Sequence, residues 1–165
     1  MNIQKPKEET QLEKLNLSNS PKLVITEKLQ KQIDFLHSRV GNKEWSGELI
    51  TSEKGSINDL DGWEIIAEDI YLVDVGTSGY TAYEVDKGGF KAADIVDMYE
   101  KYPGLLEGTH KTHHIHTHWN MGAYFSSTDW SQLNDRSLVS NYFLMLIVDF
   151  QGNYKAKMAF VANKG

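Results

Sequence analysis

Cysteine is absent from the 165 residues. That excludes a disulfide framework and any thiolate metal site, so a transition metal would have to be held by His, Asp or Glu. No run of Lys and Arg extends beyond a pair with a spacer. Acidic residues outnumber basic ones 23 to 17, for a formal charge of −6, and nucleic acid is therefore not an expected partner. The first 21 residues lack the apolar core of a signal peptide, and nothing approaches the roughly 18 apolar residues of a membrane span. The expectation is a soluble, cytoplasmic chain with no membrane partner. What is abundant is histidine in one place: five of the six (His110, His113, His114, His116, His118) fall within residues 110–118, where even spreading gives roughly a third of one.

Hydrophobic residues make up 40 % of the chain and aromatics 11 %, enough for one compact domain and not comfortably for two. Residues 1–21 are rich in Lys, Glu, Gln, Asn and Ser, a composition that reads as a flexible N-terminal arm. The domain then spans 22–165. From Thr26, a good N-cap, the apolar positions Leu29, Ile33, Leu36 and Val40 recur at helical spacing and Gly41 stops the run, which predicts an amphipathic helix. Strand character follows at 44–51, 63–75 and 80–85, with turn residues between. The pattern over 90–102 predicts a second helix, ended by Pro103-Gly104. Strand alternation resumes at 109–118, and Ser127 can cap a short helix to about residue 135. A nearly all-apolar strand, the turn Gln151-Gly152-Asn153 and a final strand close the chain as a hairpin. The sum is a mixed α/β (α+β) domain with a central, mostly antiparallel sheet flanked by helices.

On the strand at 109–118, His114, His116 and His118 share one face while His113, Ile115 and Thr117 share the other. Histidines two apart lie roughly 6.5 to 7 Å apart at Cα, so two imidazoles can converge on one ion at about 2.0 to 2.1 Å. Any His-x-His pair could do this. Here the pair His116-Thr117-His118 is followed, after seven residues, by Ser126 and, after two more, by Asp129. With 12 Ser and 11 Asp in the chain, a given pair finds both at those offsets by chance roughly one time in two hundred.

This spacing resembles the motif of the JAMM metalloproteases, the catalytically competent branch of MPN (JAB) domains. The family also requires a Glu on an early strand after the first helix, and Glu44 in Glu44-Trp45-Ser46-Gly47-Glu48-Leu49 stands there. The resemblance covers roughly residues 22–162. It implies one zinc ion held by His116, His118 and Asp129, with water in the fourth position made acidic by the metal. It makes Glu44 the general base, which later returns the proton to the leaving amine, and gives Ser126 a hydrogen bond to the oxyanion. The implied reaction is hydrolysis of a peptide or isopeptide bond in a protein or peptide substrate, ubiquitin-like tails included. Trp119 stands where many members have Pro and Glu48 where they have an apolar residue. These departures point to a divergent prokaryotic or phage-type member, virion-associated in the latter case. With no cysteine and only about a dozen residues between Asp129 and the Tyr142 strand, a partner protein or assembly would supply specificity.

Plainer readings exist for each residue. Asp129 suits the first turn of a helix as an acid near the positive dipole end, and Ser126 or Ser127 suits an N-cap. Glu48 lies on the same strand face as Glu44 and could take its role, although only Glu44 has a Gly three residues on. Two other functions compete. His114 to Asn120 looks like the histidine-triad signature of nucleotide hydrolases, with Thr117 and Asn120 polar where that pattern wants apolar residues. A non-catalytic MPN scaffold, serving in assembly such as a phage structure, is the other. His110, His113 and His114 lie outside the motif, and His37 reads as a surface residue of the first helix.

Overall fold

The computed structural model describes residues 2–5, 21–41, 43–76, 91–118, 129, 133 and 142–160. The described chain is mixed α/β. Its strands are β1 (Asn2–Gln4), β2 (Lys22–Ile25), β3 (Trp45–Lys54), β4 (Glu64–Val75), β5 (Lys111–His118), β6 (Tyr142–Asp149) and β7 (Tyr154–Phe160). Its helices are α1 (Glu27–Val40), α2 (Ala92–Lys101) and the single turn α3 (Gly104–Glu107). The strand expected at 80–85 and most of the helix expected after Ser127 lie outside the described residues.

Thr26 caps α1 as its sequence suggests: the Leu29 N–H donates to Thr26 Oγ1 at 3.1 Å. Gly41 ends the helix at φ 64°, a conformation that costs glycine little. Leu29 and Ile33, one turn apart, are buried and pack on the sheet. The segment read as an arm contributes β1, which adds to the edge of β2 through Ile3↔Leu23.

Among the described residues the sheet order is β1-β2-β4-β3-β5-β6-β7. Three of its interfaces are parallel (β1/β2, β2/β4, β5/β6) and three antiparallel (β4/β3, β3/β5, β6/β7). The antiparallel ladders are the longer ones, so the expected antiparallel character holds by length and not by number of interfaces. Parallel pairing needs crossover connections that local alternation does not reveal. The two edges approach each other, with Lys5 Nζ donating to the Gly152 carbonyl at 2.9 Å and lying over the Tyr154 ring. The sheet thus curls most of the way towards a barrel.

Its two faces differ. One, covered by α1, holds the main core of Leu23, Ile25, Trp45, Leu49, Trp63, Ile65, Ile115, Leu144, Leu146 and Val148 with Leu29 and Ile33. The other carries two smaller apolar clusters. Ile50 and Met98 meet beneath α2 together with Tyr71 and Val73, and Leu133 packs on Phe143, Met145 and Ile147 of β6. Strand alternation puts the even-numbered residues of β5, among them His114, His116 and His118, on this second face.

Candidate metal centre

β5 is central, paired antiparallel with β3 on one side and parallel with β6 on the other. Its register fixes the neighbours of each histidine: Glu48 and Met145 beside His114, Ser46 and Ile147 beside His116, and Asp149 beside His118. Apolar packing holds β5 from behind, where Ile115 is fully buried. The imidazoles are therefore presented from a rigid strand and not from a loop.

Asp129 arrives from a separate segment. Residues 129 and 133 are both helical. Leu133 is buried against β6, and Asp129 lies over β5 beside the two imidazoles. Its Oδ1 lies 3.0 Å from His116 Nε2 and its Oδ2 3.4 Å from His118 Nε2. The two Nε2 atoms are 3.1 Å apart. Two nitrogens and a carboxylate thus converge on one point, and all three residues are buried, at 4 %, 5 % and 6 % exposure.

This arrangement fits a small divalent cation. One ligand atom from each of the three residues lies within 4.8 Å of the others, close enough for a single ion with bonds of about 2.0 to 2.1 Å to be approached by all three. The donor set of two imidazoles and one carboxylate, with no thiolate, is of the kind found in zinc sites that keep a position open. His116 Nδ1 is buried without a hydrogen-bond partner among the described residues, so the ring's polar interactions are concentrated at Nε2, inside the cluster.

Glu44 lies one residue before β3 and is 4 % exposed. Its carbonyl accepts from the Gly76 N–H at 2.8 Å. Glu44 precedes by two residues Ser46, the partner of His116 where the β3/β5 register ends. Glu48, the competing acid, is also buried but sits opposite His114, further from the convergent pair. The glycine three residues after Glu44 has a local explanation. A Cβ on Gly47 would overlap the Tyr71 carbonyl oxygen, at a register shift between Ser46 and Gly47 where β4 carries an extra residue, Val73, against β3. Ser126 lies outside the described residues, as do Ser127 and Trp119.

The remaining histidines separate cleanly. His114 is buried on the ligand face, its ring centroid 5.1 Å from that of His116. His113 points to the opposite face, where its Nδ1 accepts the Leu144 N–H at 3.0 Å and the Tyr142 and Phe143 rings pack around it. That bond requires a lone pair on Nδ1, hence a neutral imidazole with its proton on Nε2. His110 pairs with Glu68 at 2.8 Å, far along the strand. His37 corrects the sequence reading. Instead of a plain surface residue, its ring stacks on Phe150 with centroids 4.4 Å apart. Burial pushes its pKa down, against the opposing charges of Asp34 and Asp149.

Sequence reasoning passed over one residue beside the site. Thr117, between the two histidines, is fully buried and hydrogen-bonds the backbone of Trp45. The only available signal was a hydroxyl on the apolar face of an otherwise buried strand.

Among the described residues no helix is long and apolar enough to cross a membrane. No family model and no curated protein matches the sequence. The solution structure of protein DSY2949 from Desulfitobacterium hafniense is similar at 14 % identity, covering 87 % of this chain and 86 % of that one with a TM-score of 0.47. A likeness so distant bears on neither fold nor chemistry, and the site stands on its own residues.

Proposed function

We propose that the chain is a zinc-dependent metallopeptidase of the JAMM type, built on an MPN/JAB-like domain, that hydrolyses a peptide or isopeptide bond. The observation that carries this reading is the convergence of His116 Nε2, His118 Nε2 and the Asp129 carboxylate, with each imidazole within 3.4 Å of a carboxylate oxygen and the two Nε2 atoms 3.1 Å apart, from residues whose spacing resembles the family motif. Order along the chain supports it as well: a helix, then the strand led by Glu44, then the strand bearing the histidines.

When bound, a zinc ion supplies Lewis acidity that makes water a nucleophile at neutral pH. His116 and His118 donate their Nε2 lone pairs and Asp129 its carboxylate. Asp129 also brings negative charge that offsets part of the cation's charge in a buried place. Glu44 receives the proton of the attacking water on its carboxylate and delivers it to the leaving nitrogen as the C–N bond breaks, so that acid and amine leave with their protons balanced. Ser126, by the same resemblance, donates its hydroxyl to the carbonyl oxygen as negative charge develops there. Substrates are proteins or peptides, ubiquitin-like tails among them, and a partner protein supplies specificity.

Elemental analysis of protein purified without chelators, combined with incubation against a proteome-derived peptide library and detection of new termini by mass spectrometry, tests the reading. One zinc per chain and chelator-sensitive cleavage are expected. His116→Ala should lose the metal. Glu44→Gln should keep it while turnover falls by about 10² to 10⁴-fold. Wild-type protein without stoichiometric metal would overturn the proposal. Metal-loaded protein whose Glu44→Gln variant behaves like wild type would point instead to an assembly scaffold.

A further inference from the structure

The residue between the two histidines has a task of its own. The β3/β5 ladder is registered from Thr51↔Lys111 to Ser46↔His116 and ends there. At the next step, where Trp45 comes beside Thr117, the Trp45 N–H donates to Thr117 Oγ1 at 2.9 Å, and the Thr117 hydroxyl donates to the Trp45 carbonyl at 3.4 Å. A single hydroxyl, with one proton and two lone pairs, satisfies both backbone groups of its neighbour. Thr117 and Trp45 are both fully buried, so no solvent could take its place.

The consequence falls on Glu44, the residue before Trp45. The Thr117 hydroxyl ties β3 to β5 at Trp45, one residue beyond the last registered pair of the ladder. The Glu44 backbone is then held from two sides. Its carbonyl takes the Gly76 N–H from the end of β4 at 2.8 Å, and its successor Trp45 is pinned to β5 by Thr117. Because Thr117 lies between His116 and His118, the strand that carries the nitrogen ligands is also the strand that sets where Glu44 sits.

We infer that Thr117 is a positioning residue: its hydroxyl fixes the Trp45 backbone and thereby the placement of the Glu44 carboxylate relative to the His116–His118–Asp129 cluster. The inference rests on the metallopeptidase reading for its catalytic consequence, but the hydrogen bonds that motivate it do not.

Thr117→Val keeps shape and loses the hydroxyl, whereas Thr117→Ser keeps the hydroxyl and loses only a methyl group. Hydrogen exchange at the Trp45 amide, measured by NMR on metal-free protein, should speed up markedly in Thr117→Val and stay near wild type in Thr117→Ser. On zinc-loaded protein, with a quenched peptide that the wild type cleaves, Thr117→Val should lower kcat on the order of 10²-fold, the scale of an ångström of misplacement. KM and zinc stoichiometry should remain as in wild type, and Thr117→Ser should restore turnover. In a Glu44→Gln background Thr117→Val should have no further effect on kcat, since the group it positions is gone. A kcat in Thr117→Val equal to wild type, or an equal fold-loss in both backgrounds, overturns the positioning role while leaving the metallopeptidase reading intact. Unchanged Trp45 exchange in Thr117→Val overturns it too. Wild-type protein that binds no zinc or cleaves nothing overturns the parent reading, and the catalytic role of Thr117 with it.

Discussion

Two carboxylates outside the site show how single residues hold this fold together. Burial pushes the Asp69 carboxyl up, but hydrogen bonds from Lys28, Gln32, the Ile70 N–H and Tyr102 outweigh it and hold the group below its ordinary value. Asp69 thereby ties α1 and the end of α2 to β4. For Glu53 burial again pushes up, and the hydrogen bonds of Tyr142, Lys111 and Trp63 more than compensate, linking β3, β4, β5 and β6. A lowered folded-state pKa means stability that is fully present above the unfolded pKa and is lost as pH falls through the folded one. Urea midpoints should therefore drop steeply below about pH 4, where unfolded Asp and Glu titrate, after a smaller decline below about pH 6.5 from His37, whose pKa burial lowers. Asp69→Asn should be less stable than wild type at neutral pH and should show a shallower drop in acid. An equally steep drop in that variant would show that other carboxylates dominate. Apart from the Ile70 N–H, these ties were not legible beforehand, because they join different elements and depend on which of them become neighbours.

Among the elements, β3 is the one whose irregularities matter most. It shifts register against β4 at Ser46/Gly47 and again at Ile50/Thr51, and the first shift brings the Tyr71 backbone against Gly47. Gly47→Ala should cost roughly 1 to 3 kcal/mol, the usual range for overpacking a close approach. The thermal midpoint reads that loss, and zinc stoichiometry should be retained because His116, His118 and Asp129 are untouched. A midpoint within error of wild type would mean that the bulge relaxes freely. Elements with strong local signals matched expectation. The helix expected after Thr26 is α1, the pattern over 90–102 resolves to Ala92–Lys101, and the strand expected at 109–118 runs Lys111–His118. The short elements escaped notice. The turn α3 starts at Gly104, within the Pro103-Gly104 pair read as a stop, and Gly108 closes it at φ 81°. β1 and β2 are three and four residues long, too short for a period of two to declare itself.

At the scale of the whole molecule, metal binding and folding are linked. The ligands come from β5 and from residue 129, two segments that only the folded chain brings within 3.0 to 3.4 Å, so a metal that prefers this site stabilises the native state. Zinc at about a hundred times its dissociation constant should add about 2.7 kcal/mol. Calorimetry should show an upward shift of the midpoint that grows with zinc concentration, is reversed by chelator, and is absent in His116→Ala; equal shifts in wild type and that variant would place the binding elsewhere. The sequence by itself determined the ligand types, since a chain without cysteine leaves only imidazoles and carboxylates, and it determined the shared face of His116 and His118, since strand alternation is a local property. It also singled out Asp129 and Glu44 through spacing and resemblance. That the sheet is half parallel, that Asp129 meets the two imidazoles, and that the Thr117 hydroxyl bonds the Trp45 backbone emerged only in the folded chain. Those facts rest on pairings between distant segments, whose energetics lie in register and burial that no local pattern encodes.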